Sequence, residues 1–290
     1  MNPLAWLTNL LEKRYGLTYR RYVTQSVLGR PLTVIDGSLR TGDYDDAWNV
    51  ALARRSRIVF DVGANVGQSA LLMFLSGSPE NIVLFEANPL ALSIAAENLI
   101  RNNFSQRATF IPGFVSDSPG DTIRFNTVGA GAAGSIYARH AVSATALHAS
   151  IDVPTITLDN AVELTGLTPD YVKIDVEGAE ARVLSGFART ARSTAIRILV
   201  EMHANPDLSM GQNATAILDW STQVGYRAWY LKDHIELKNP HQIASRGRCH
   251  LLLLPAALEF PGYLLDIDQG DSIQKALEPF RQDERSFSSR

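Results

Sequence analysis

Cysteine is nearly absent: the single Cys249 excludes an internal disulfide and fits a reducing compartment. Long apolar runs are missing too, and no stretch approaches the roughly 20 residues that span a bilayer. The short run from Leu4 to Leu11 has its charges, Glu12, Lys13 and Arg14, after it, the reverse of a secretory signal. Neither sign of charge dominates. The 27 basic and 30 acidic residues leave −3, so the basic field that a nucleic-acid partner needs is absent. These absences predict a cytoplasmic chain without a transmembrane segment and without nucleic acid as partner.

One further lack is more informative. A dinucleotide fingerprint requires G-x-G-x-x-G, so that a pyrophosphate can approach the backbone. Counted from Gly63, the second and third glycine positions hold Asn65 and Gln68. The preceding apolar run, Ile58-Val59-Phe60, ends in Asp61, a charge that would crowd a diphosphate. S-adenosylmethionine carries no phosphate but has an ammonium, a carboxylate and a sulfonium. An acid at a strand tip meets the ammonium, and a glycine turn before a helix receives the carboxylate. Glu86 ends the next apolar run, Ile82 to Phe85, where a carboxylate can accept both ribose hydroxyls. A nicotinamide enzyme is therefore disfavoured.

With 290 residues, 46% of them hydrophobic, the chain has ample core for one large α/β domain. From residue 57, apolar strands alternate with helical segments, which implies a mainly parallel sheet covered on both faces. Strands are expected at 81–86, 107–114, 171–175, 196–201, 226–231 and 248–254, with a further short strand from Asp121 to Asn126. Residues 1–50 read as a helical extension, since Leu4, Leu7, Leu11 and Tyr15 recur at helical spacing. Such an extension packs on the sheet or on a second copy of the chain, a route to a homo-oligomer. Asp45-Asp46 before Ala47-Trp48 is helix-start chemistry. The expected organisation is thus an extension (1–50), a catalytic domain (51–254) and a tail (255–290).

In open α/β sheets, ligands bind at the carboxyl ends of the strands. Those ends carry Asp61, Glu86, Asp117, Asp175, Glu177, Glu201 and His203. Methyl transfer is an in-line displacement that mainly needs positioning, helped by a base when a hydroxyl loses its proton. His203 is the natural base because histidine titrates near working pH, with Glu177 and Asp175 as alternatives. Asp175, Glu177, Glu201 and His203 also have the donor chemistry of a divalent-metal site, although no metal is expected. His234, His241 and His250 have no partner visible in the sequence.

Asp61 to Gly67, Phe85-Glu86-Ala87-Asn88-Pro89, Thr157-Leu158-Asp159, Lys173 to Glu180 and Glu201-Met202-His203 occur together and in order. This set resembles the FkbM-type S-adenosylmethionine-dependent methyltransferases over residues 57–254. The resemblance implies a class I methyltransferase fold, Rossmann-like and doubly wound, with a mainly parallel seven-stranded sheet whose last strand is antiparallel. It also implies O-methylation of a hydroxyl on a sugar, polyketide or related small molecule. By the same match, Asp61, Gly63, Asn65 and Gly67 hold the methionine end of the cofactor, Glu86 the ribose, and Ser116-Asp117 approach the adenine, with Asn88 a further cofactor-binding residue. Gly129 to Ser135 falls where the family has a loop near the acceptor. The competing readings are a cofactor-binding scaffold without turnover, and N-methyl transfer on the same fold.

Overall fold

The computed structural model of the protein describes residues 20–40, 45–127, 150–204 and 208–278. The helical spacing at Leu4–Tyr15, the Gly129–Ser135 run, His140, His148 and the polar end of the tail lie outside the described residues.

The first described element corrects the expectation of helix. Residues Tyr22–Val27 (β1) and Arg30–Ile35 (β2) form an antiparallel hairpin. Val23, Thr24, Val27, Thr33, Val34 and Ile35 are β-branched, and Leu28 and Gly29 take φ values of 53° and 72°. A two-residue turn with both φ positive matches the twist of a hairpin. The helical spacing upstream does not extend through this segment.

The strands that follow are Ile58–Val62 (β3), Asn81–Glu86 (β4), Ala108–Pro112 (β5), Phe114–Val115 (β6), Thr122–Asn126 (β7), Ser150–Ile156 (β8), Tyr171–Ile174 (β9), Arg197–Met202 (β10), Tyr226–Tyr230 (β11), Ile235–Leu237 (β12) and Cys249–Pro255 (β13). Eight of them build the main sheet in the order β12-β11-β13-β10-β9-β3-β4-β5. Strands β5, β4, β3, β9 and β10 are mutually parallel, while β13 runs antiparallel between β10 and β11. That is the expected doubly wound sheet with an antiparallel last strand. The short β12 adds an eighth strand at the edge. A smaller sheet, β6-β8-β7, stands apart.

Alternate residues of each central strand feed opposite faces. Val59, Ile82, Leu84, Tyr171 and Leu252 join one core, and Phe60, Val83, Phe85, Val172 and Val200 the other. Two-sided burial explains why these strands read as continuous apolar runs. Helices α1 (Asp46–Ala53), α2 (Gln68–Leu75), α3 (Pro89–Arg101), α4 (Leu158–Thr165), α5 (Glu180–Ser185), α6 (Ala188–Ser193) and α7 (Met210–Val224) cover the faces. No helix among the described residues is long and apolar enough to cross a membrane.

Helix α1 crosses the division at residue 50, and all of its residues are buried. Trp48 Nε1 donates to the Ile267 carbonyl at 2.9 Å, so the segment after β13 folds back on α1. Leu32, Trp48, Leu264 and Ile267 share a core with the sheet, which makes extension, domain and tail one packed body over the described residues. Asn98 in the last turn of α3 and Asn102 just past its end satisfy the outer edge of β2. Asn98 Oδ1 accepts from Ile35 N at 2.8 Å, and Asn102 Oδ1 from Thr33 N at 3.0 Å. An edge strand covered in this way is closed to further pairing. Asn98 Nδ2 also donates to the Val66 carbonyl at 2.9 Å, which joins the hairpin to the glycine turn.

Candidate functional site

The turn after β3 is built by its backbone. Gly63 N and Ala64 N both donate to the Phe85 carbonyl at 3.0 Å. Gly63 has φ +81°, and a Cβ there would lie 1.8 Å from the Asp175 carbonyl oxygen. Gly67 has φ +83°, and its Cβ would meet Ala95 Cβ at 2.9 Å. Both glycines are therefore demanded by the approach of β9 and α3, whatever ligand the turn serves. Between them Asn65 takes φ 47°, and its buried Oδ1 has no partner. Glu86 supports the turn: its carboxylate accepts from Asn65 N and Asn88 N, each at 2.8 Å. Burial pushes the Glu86 carboxyl up, and those two amides partly offset the rise.

Asp61 stands directly opposite Lys173 in the β3–β9 register and is fully buried. Its Oδ2 accepts from Ser69 Oγ at 2.5 Å, while Oδ1 has no partner. Burial raises the Asp61 carboxyl; Lys173 and Ser69 pull it back. Burial works against charge on Lys173 as well, but Asp175, Asp61, Asp45 and Glu201 outweigh it and hold the ammonium well above its ordinary range.

The tips of β9 and β10 assemble the side-chain cluster that the sequence singles out. His203 is 5% exposed. Its Nδ1 lies 3.0 Å from Glu180 Oε1, and its Nε2 is 4.0 Å from Asp175 Oδ1, 3.8 Å from Glu177 Oε2 and 3.7 Å from Glu201 Oε1. Glu177 has φ 52°, an uncommon conformation for a side-chain-bearing residue and one that recurs at functional sites. Its surroundings hold the histidine above its ordinary range. Burial opposes its charge, but the Glu180 hydrogen bond and the Asp175 and Glu177 carboxylates raise it to about 9. Glu201 is pushed up to about 7 by burial and by Asp175. Asp175 is held low: burial opposes this, and Lys173 and His203 prevail.

A cleft of about 530 Å³ connects the two regions. Gly63, Asn65 and Ser69 line one side, and Lys173, Asp175, Glu177 and Glu201 the other. Beyond Gly63 a slot of about 50 Å³ is walled by Phe85, Glu86, Gly113, Phe114, Phe125 and Val176. Ser116 and Asp117 are not among its lining residues. Ser116 Oγ donates to Asp117 Oδ1 at 2.8 Å, and Asp117 pairs with Arg182 at 3.0 Å. The Asn88 side chain caps α3 through Leu90 N and donates to Thr127 Oγ1. Sequence reasoning missed Asp45, Lys173, Arg248 and His250 as cleft residues. His250 sits opposite Glu201 in the antiparallel β10–β13 register, 3.8 Å from its carboxylate.

Residues 61–228, more than half of the chain, match the family model described as methyltransferase FkbM domain. Hexuronic acid methyltransferase AglP of Haloferax volcanii is 34% identical over 160 residues, 53% of this chain and 59% of that protein. The chain thus spans less than two thirds of this relative's length. Among solved structures, methyltransferase FkbM from Methylobacillus flagellatus KT matches with TM-score 0.42 and 18% identity, over 68% of this chain and 43% of that one. The O-methyltransferase from Bacillus cereus in complex with SAH matches with TM-score 0.42 and 13% identity, over 74% and 82%.

Proposed function

The chain belongs to the FkbM methyltransferase domain family, and from that premise we propose that it transfers a methyl group from S-adenosylmethionine to a hydroxyl of a sugar. The carrying observation is the juxtaposition within one cleft of the glycine turn and the carboxylates of Asp175, Glu177 and Glu201. When bound, the cofactor supplies a methyl group on a positively charged sulfur.

The residues present fit that group. Asn65 Oδ1 and Asp61 Oδ1 are buried acceptors without partners, beside the turn that would receive a cationic amino acid. Glu86 lines the apolar slot beyond Gly63, which supports a ribose contact there and the slot as the adenine side. Across the cleft, the carboxylates at the β9 and β10 tips orient the acceptor hydroxyl and receive its proton. The relative's name, hexuronic acid methyltransferase, supports a sugar acid as acceptor, and Arg40 and Arg248 supply positive charge in the same cleft.

The test is binding and turnover together. Calorimetry should show S-adenosylmethionine binding that falls at least tenfold in Asp61→Asn and Glu86→Gln, with circular dichroism verifying that both variants are folded. S-adenosylhomocysteine should accumulate with hydroxylated sugar acids as acceptors. Binding untouched by both substitutions sinks the cofactor assignment; binding without product from hydroxyl or amine acceptors favours a scaffold role.

A further inference from the structure

We propose that Asp175, Glu177 and His203 form a binding site for one divalent cation of the Mn²⁺ type, held at the acceptor side of the cleft. The histidine makes the argument. Its Nε2 is buried and has no hydrogen-bond partner, yet carboxylate oxygens of three residues converge on it from 3.7 to 4.0 Å. Those gaps exceed the ~3.2 Å limit of a good N–H···O bond. Two ligand atoms each about 2.1 Å from one ion stand roughly 3 to 4 Å apart, depending on the angle between them.

The other ring nitrogen is already anchored. Glu180 takes His203 Nδ1 at 3.0 Å and is itself fixed by Gly178 N at 2.9 Å and Asn213 Nδ2 at 2.8 Å. A buried carboxylate on the far nitrogen orients an imidazole and points its remaining nitrogen at a metal. Charge agrees. Four carboxylates lie within 4.0 Å of His203, and two cations answer them: Lys173 on Asp175 and Arg248 on Glu201. Carboxylate oxygens with one imidazole suit Mn²⁺ or Mg²⁺ better than soft, thiolate-seeking ions.

The neighbouring trio Asp45, Glu201 and His250 is a poorer host. Asp45 Oδ2 already accepts from Asn49 at 2.7 Å, Glu201 is taken by Arg248, and Lys173 and Arg248 act on His250. An ion at the first site faces the space assigned to the acceptor hydroxyl, where it would fix that oxygen. This last role rests on the transfer reading above; the binding site itself does not.

The experiment is titration of the EDTA-stripped full chain with Mn²⁺, followed by electron paramagnetic resonance, without S-adenosylmethionine. One ion per chain is expected, with affinity at least tenfold lower in Glu177→Gln and in His203→Gln, and within twofold of the parent in His250→Gln. Circular dichroism verifies the fold; should His203→Gln unfold, Glu177→Gln alone decides. No binding at millimolar Mn²⁺, binding unchanged in Glu177→Gln, or loss confined to His250→Gln overturns the site. A parent chain that binds S-adenosylmethionine but no Mn²⁺ overturns this inference and leaves the methyl-transfer reading standing; one that binds Mn²⁺ but no S-adenosylmethionine does the opposite.

Discussion

The two sides of the cleft are made by different means. The Gly63–Gly67 turn is a backbone device: its shape follows from three positive φ angles, a shared carbonyl on β4 and the near contact of β9 and α3. The β9–β10 tips are a side-chain device, in which residues from two strands, α5 and α7 converge on one imidazole. A backbone device tolerates no added atom, whereas a side-chain device tolerates changes of shape and fails through charge. Substitution should therefore separate them.

Gly63→Ala should have the largest effect. Its methyl group would sit 1.8 Å from a backbone oxygen, so β3 and β9 must part, at a cost above about 4 kcal/mol. Gly37→Ala is the matched control, because φ is +82° there but nothing lies within 4 Å. It should cost about 1 kcal/mol, the strain alone. Urea denaturation of the pair checks this, and equal losses would refute the contact argument.

Glu180→Gln tests the other device. The substitution keeps the shape but removes the charge that His203, Gly178 N and Asn213 share in a buried site. The expected loss is about 2 to 3 kcal/mol by denaturation. A value below 0.5 kcal/mol would mean that the cluster is not held through Glu180.

The smallest expected effect lies outside both, at the hairpin. Tyr22, Arg20 and Arg101 surround the Glu97 carboxylate and hold it below the usual range, the Tyr22 hydrogen bond first among the causes. Since the folded value is depressed, its contribution is present above the unfolded value, near 4.3, and lost as pH falls through the folded one. Glu97→Gln should cost under about 1 kcal/mol, as for a pair partly open to solvent. Hydrogen exchange in residues 22–35 should quicken in the variant at pH 7, and the difference from the parent should vanish in acid. A difference that persists in acid would show that another contact docks the hairpin.

Much of this arrangement was legible beforehand, for a physical reason. The parallel strands are buried on both faces, so β3, β4, β9 and β10 stand out as apolar runs, and their acidic ends mark the ligand-binding edge. Asp175, Glu177, Glu201 and His203 were readable as one group because each stands at or just beyond such an end. His250 was not, since its partner Glu201 lies 49 positions away and meets it through an antiparallel register. Lys173 was visible within its motif, but its role as counter-charge to Asp61 depends on the pairing of β3 with β9. The hairpin departs from the expected helix because its β-branched residues follow a period of two, which the helical spacing of Leu4 to Tyr15 does not report.

The order of residues determined by itself the alternation of strand and helix, the glycine turn and which chain positions end in acids, because those depend on local spacing and on burial of whole segments. Tertiary structure alone decided which acid faces which cation, how His203 is presented and why Gly63 admits no side chain. Such facts belong to strand register and to the few ångströms between elements, and neither is written in the spacing of residues along one segment.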